Sequence, residues 1–142
     1  MPALIQALQD QNPEVRGDAV QALGKIGAEA KDAVPALIQT LKDPDSRVRI
    51  QAAVALVQIG TPDAIKAAVG AVPALIQALQ DSDAEVRYNA TWALGNIGEG
   101  AVPALIQASQ DPDEGVCWNA AEALGKIGTP EALEAVKKYQ SR

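Results

Sequence analysis

The chain alternates a short apolar pattern with a longer one. In the short pattern apolar residues fall at i, i+1 and i+4: Leu4, Ile5 and Leu8; Leu37, Ile38 and Leu41; Leu75, Ile76 and Leu79. That spacing predicts one buried face of a brief helix, called helix A. Residues 2–6, 35–39, 73–77 and 103–107 all read Pro-Ala-Leu-Ile-Gln. A proline in the first turn costs a helix nothing, because its missing N–H would have had no intrahelical partner. The longer pattern, Val-Arg-x-x-Ala-x-x-Ala-Leu-Gly-x-Ile-Gly, is clearest at residues 15–27 and 86–98 and predicts helix B. Between the two lies an acidic turn whose third residue (Asn12, Asp45, Asp83 or Asp113) is placed to N-cap helix B. Gly27, Gly60, Gly98 and Gly128 close the pattern, where a left-handed C-cap is needed.

The four prolines stand 33, 38 and 30 residues apart, a period that marks stacked helical repeats. The expected organisation is a single domain over residues 1–142, with repeats at about 2–34, 35–72, 73–102 and 103–128. The connections at 28–34 and 99–102 are short, whereas residues 61–69 form an insertion of an extra helical turn or two. Thr129-Pro130 repeats the Thr61-Pro62 start and predicts a closing helix over 130–139.

Composition narrows the function. The 142 residues include no Phe and no His. Without His, the commonest general base and metal ligand are missing, and no enzyme and no cofactor are expected. The Asp-x-Asp turns lack the Gly and Glu spacing of a calcium loop and read as caps. Gly24 to Gly27 and Gly125 to Gly128 punctuate helix ends and are no phosphate loop. Cys117, the single cysteine, has no base to activate it and reads as a small hydrophobe. The formal net charge of −6 shows no basic patch, so nucleic acid is not an expected partner. With no signal peptide and no long apolar run, the expectation is a cytoplasmic protein with no membrane partner.

These units resemble HEAT-like repeats of the phycobilin-lyase type, and are similar to artificial alpha-repeat binders built on that pattern. The resemblance covers residues 2–128 and implies an all-α, right-handed α-solenoid of four two-helix repeats plus the C-terminal closing helix. The family's Asp-to-Arg ladder maps onto Asp10 and Arg16, Asp43 and Arg49, and Asp81 and Arg87. An arginine fork there bridges carboxylates of its own and the adjacent repeat. The fourth repeat departs from the pattern, with Cys117 at the Arg position, Ser109 for a helix-A Leu, and Gly115 in the first turn of helix B.

At about 100° per residue, the Val before the ladder arginine and positions three, seven and ten after it form the buried arc of helix B, and positions one, two, five and nine fall opposite. The repeats disagree there: Gly17, Asp18, Gln21 and Lys25; Ile50, Gln51, Val54 and Gln58; Tyr88, Asn89, Trp92 and Asn96; Trp118, Asn119, Glu122 and Lys126. The resemblance puts this arc on a concave face. Amphipathic aromatics flanked by Asn are the material of interface hot spots. The expected function is therefore a non-enzymatic scaffold that presents a helix-B ridge to another protein. Tyr88, Trp92 and Trp118 are its anchors, with Asn89, Asn96, Asn119 and Glu122 supplying polar register. The alternative that the resemblance implies is a subunit or relative of a phycobilin lyase, or another pigment-handling protein. Uncapped solenoid ends expose apolar surface, which leads to the expectation of a homo-oligomer. The near-identity of the repeats fits recent duplication, a consensus-built scaffold or part of a longer array.

Overall fold

The computed structural model describes residues 2–141; Met1 and Arg142 lie outside the described residues. Its described residues are helix, 3-10 turn and loop, with no strand among them. The chain forms two compact units, Met1–Ala71 and Val72–Arg142.

The first unit contains α1 (Pro2–Ala7), α2 (Pro13–Ile26), a 3-10 segment (Gly27–Ala33), α3 (Val34–Thr40), α4 (Ser46–Ile59) and α5 (Pro62–Gly70). In the second are α6 (Val72–Ala78), α7 (Ala84–Ile97), a 3-10 segment (Gly98–Ala101), α8 (Val102–Ala108), α9 (Glu114–Ile127) and α10 (Pro130–Gln140). Each unit is thus two A–B helix pairs and one more helix. The insertion at 61–69 is a nine-residue helix, longer than one or two turns. It begins as α10 does: Thr61 and Thr129 each accept a hydrogen bond from the N–H three residues on, with Pro at the first helical position. Each packs on the last B helix of its own unit, α5 on α4 and α10 on α9.

The turns and caps arise from side chains competing for backbone N–H groups. Asn12, Asp45, Asp83 and Asp113 all cap as their position predicts. All four closing glycines have positive φ, and they divide according to the element each one leads into. Gly60 and Gly128 are left-handed helical and lead into the Thr-Pro helices. Gly27 (φ 77, ψ −144) and Gly98 (φ 83, ψ −138) are not the left-handed helical caps expected of them, because they turn into the 3-10 segments through a region that side chains exclude.

The core of each unit is a layer of leucines. Leu23, Leu37 and Leu56 are fully buried in the first unit, and Leu75, Leu94, Leu105 and Leu124 in the second. Each such side chain contributes about 1.5–3 kcal/mol by leaving water. The expected buried arc fails at two places in α2, where Val15 is 37% and Ile26 is 41% exposed. The reason is coverage: α2 packs mainly against α1, α4 and the 3-10 segment, whereas α4 has α2, α3, α5 and that segment around it. The expected exposed arc also fails twice, at Gly17 and Ile50, both buried. Gly17 lies directly under the Gln51 side chain, because α2 and α4 run close together.

Candidate functional site: an aromatic groove between α7 and α9

The α7 and α9 sequences place two rows of side chains opposite each other. Spacing of four residues keeps a row on one helix face. On α7 the row is Ala84, Tyr88, Trp92 and Asn96; on α9 it is Glu114, Trp118, Glu122 and Lys126. Between them runs a groove of about 530 Å³, lined by Tyr88, Thr91, Trp92, Trp118, Asn119 and Glu122 along with Ala84, Arg87, Ala123 and Lys126. Tyr88 is 69% and Trp118 57% exposed, and Trp92 is half-buried. Of the seven residues singled out from the sequence, five line this groove. Asn89 and Asn96 are not among its lining residues; Asn96 donates to the Trp92 carbonyl at 2.8 Å, back along its own helix.

Lys126 lines the groove as well, although the sequence alone did not single it out as a site residue. Its ammonium lies 5.4 Å from the centroid of the Trp92 ring, a cation–π contact. The stem reaches there by crossing α7 at Gly95, where an added Cβ would lie 2.9 Å from Lys126 Cδ. A glycine at that point lets the methylenes pack flat while the charge stays at the rim. The row of residues 118, 122 and 126 at helical spacing is the sequence signal that could have found it.

The Asp and Arg residues of the ladder do two different jobs. Arg16 spans the two repeats of the first unit, with Nε 2.8 Å from Asp43 Oδ2 and a second nitrogen donating to Oδ1 at 3.0 Å. The two side chains are only 14% and 8% exposed. Toward its own repeat, however, Arg16 donates to the Asp10 and Gln11 carbonyls, not to the Asp10 carboxylate. Arg49 likewise donates to the Asp43 and Pro44 carbonyls, and Arg87 to that of Asp81. This corrects the expectation that the fork grips its own carboxylate. Asp10, Asp43 and Asp81 each accept the N–H two residues on, which closes the turn before helix B, and the arginine of the same repeat meets the carbonyls of that turn.

Burial pushes the Asp43 carboxyl up, but the Arg16 hydrogen bonds, the Asp45 N–H and the charges of Arg16 and Arg49 outweigh it. The net effect holds Asp43 below its ordinary pKa. The same hydrogen bond raises Arg16 above its ordinary value, against the opposing pull of burial. At the fourth ladder position Cys117 is buried, and its thiol donates to the Glu114 carbonyl at 3.4 Å.

A chain of paired A and B helices, held by caps at fixed register and carrying its variable residues on one face, is a helical-repeat protein. It belongs to the HEAT-repeat family, whose model matches residues 1–72 and again 72–141. Among solved structures, an engineered protein is similar at 31% identity and a TM-score of 0.66, covering 97% of this chain and 67% of that one. A second engineered protein is similar at 32% identity and a TM-score of 0.64, with 97% of this chain and 40% of the other covered. A designed armadillo repeat protein in complex with the peptide (KR)4 is similar at 26% identity and a TM-score of 0.62, covering 97% and 69%. No curated protein matches the chain. Among the described residues, no helix is long and apolar enough to cross a membrane.

Proposed function

We propose that the protein is a non-enzymatic binding scaffold, and that its second unit grips a segment of another protein in the α7–α9 groove. The observation that carries this reading is the convergence of Tyr88, Trp92 and Trp118 on one groove while two of the three stay more than half exposed. Large aromatics are expensive to leave in water, and clusters of them mark interaction sites. Their rigid, amphipathic rings supply contact area at little entropic cost. Asn119 and Glu122 in the same lining provide the few polar groups that set a partner's register. Repeat stacks use their surfaces for binding, and the similarity to a designed armadillo repeat protein in complex with a peptide supports a peptide-like ligand.

The test is capture from cell extract by the intact chain and by a Tyr88→Ala, Trp92→Ala, Trp118→Ala variant whose helicity is checked by circular dichroism. A protein held by the first and released by the second is the expected result. Equal capture by both would place binding elsewhere on the chain. A pigment-handling role, the finer meaning of a phycobilin-lyase likeness, is the second reading. It rests on the family likeness alone, since Arg87 donates to the Asp81 carbonyl and Lys126 rests on the Trp92 face, and neither is aimed at a propionate. A shift of bilin absorption on mixing supports it, and an unchanged spectrum removes it.

A further inference from the structure

We propose that the occupant of the α7–α9 groove is a cationic segment, an extended peptide bearing arginine or lysine, and that Lys126 is a placeholder covering Trp92 until such a residue displaces it. The proposal rests on the binding reading above and names the partner's chemistry.

The Lys126 contact shows directly what the groove favours, because a cation already rests on one of its aromatic faces. Tyr88 and Trp118 offer two more faces, both exposed. Carboxylates stand on either side of Trp118 along α9. Glu122 lines the groove with it, and Glu114 lines a neighbouring hollow of about 670 Å³ that Trp118 and Asn119 share. Among the described residues the one ion pair is Arg16–Asp43, so Glu114 and Glu122 are without a paired cation. Arg87 also lines the groove, but its guanidinium is turned to the Asp81 carbonyl.

Charge over the whole unit points the same way. Residues 72–142 hold 10 acidic and 5 basic side chains, against 8 and 7 in residues 1–71. The groove's own charged lining is Arg87, Glu122 and Lys126, so the long-range pull on a cationic segment comes from the surrounding unit and not from the lining. A neutral apolar segment would bury Glu122 and Lys126 without partners, which is unfavourable. A guanidinium suits the site better than an ammonium, because it stacks on a ring and donates to a carboxylate at once.

The two tryptophans of the chain both line the groove, so intrinsic fluorescence reads it without a label. Three peptides of equal length are titrated at two salt concentrations: one of Arg, Lys and Ser, one of Glu and Ser, and one of Gln, Leu and Ser. The expected result is saturable change with the first alone, weakened by added salt. Lys126→Met takes the competing cation off Trp92 and removes a like charge, so the cationic peptide binds more tightly, by about two- to thirtyfold. Glu122→Gln weakens binding, while helicity stays constant in both variants.

If Lys126→Met weakens the cationic peptide, Lys126 is an anchor and the placeholder role is overturned. Cationic binding that persists in the triple aromatic variant would reduce the effect to general attraction by an acidic surface and overturn the proposal. A groove that takes the acidic or neutral peptide, and loses it in the triple variant, overturns the cationic chemistry but leaves the binding scaffold standing. Absence of any response, in the intact chain and in Lys126→Met alike, also overturns the cationic proposal; capture from extract then decides the scaffold reading separately.

Discussion

The two units are built from the same parts, and the α2–α4 face of the first differs from the α7–α9 face of the second at a handful of side chains. Counted back from the closing glycines, Gly17 stands where Tyr88 does, Gln21 where Trp92 does, Ile50 where Trp118 does, and Gln58 where Lys126 does. In the first unit the small Gly17 lets the Gln51 side chain lie across it. Gly24 brings α2 down onto the Ala55 backbone, with an added Cβ only 3.1 Å from its Cα. Helices α2 and α4 touch along more of their length than α7 and α9 do, and Ile50 is buried. In the second unit a tyrosine and a tryptophan occupy the same register, and a groove lies between the helices. The lesson is that the packing residues hold the repeat constant, while four or five positions on the outer arc decide whether a helix pair is a closed contact or a binding site.

The comparison breaks most easily at the aromatics. Replacing Tyr88, Trp92 and Trp118 by Ala should weaken a captured partner at least about 100-fold, since each anchor of this kind is worth about 2 kcal/mol. The matching first-unit change, Gln21→Ala with Gln58→Ala, should alter affinity less than about twofold. Isothermal titration checks both.

A smaller effect separates the corresponding glycines. Gly24→Ala forces α2 away from the Ala55 backbone and should destabilise the chain by about 1–3 kcal/mol. Gly95→Ala meets only the flexible Lys126 side chain. There the gain in helix propensity, about 1 kcal/mol, should offset the contact, leaving stability unchanged or improved. Urea unfolding distinguishes the two. Equal losses would mean that α7 and α9 pack as closely as α2 and α4.

The smallest effect concerns the ion pair that ties the two repeats of the first unit. Asp43 has its pKa lowered in the folded chain, so its contribution to stability is present above the ordinary carboxylate pKa. It fades as pH falls from about 4 through the lower folded value. Thermal melts of the intact chain and of Asp43→Asn should differ at neutral pH and converge in acid. The raised Arg16 pKa adds no pH dependence in the accessible range, because arginine is charged there in both states. A gap that widened on acidification would contradict the assignment.

Much of the fold was legible because it rests on local chemistry. The N-caps Asn12, Asp45, Asp83 and Asp113, the Pro-Ala-Leu-Ile-Gln entries and the terminal glycines each act within a few residues, and all stand where the pattern puts them. The kinship of α5 with α10 was half visible in the shared Thr-Pro start, yet the period of the prolines hid it behind an apparent insertion. What was illegible depends on the distance between helices. Angular position on helix B says that Gly17 and Ile50 face away from the leucine layer. It cannot say that a neighbouring B helix comes close enough to cover Gly17, or that Ile50 is buried. For the same reason, periodicity placed Lys126 on the outer arc without revealing that Gly95 lets its stem lie across α7 onto Trp92.

The most direct test of the central claim is amide hydrogen exchange of the intact chain, free and saturated with a captured partner. Protection is expected in α7 around residues 88–96 and in α9 around 118–126, with α2 and α4 unchanged. Protection of α2 and α4 instead, with α7 and α9 exchanging as in the free chain, would contradict the assignment of binding to the aromatic groove.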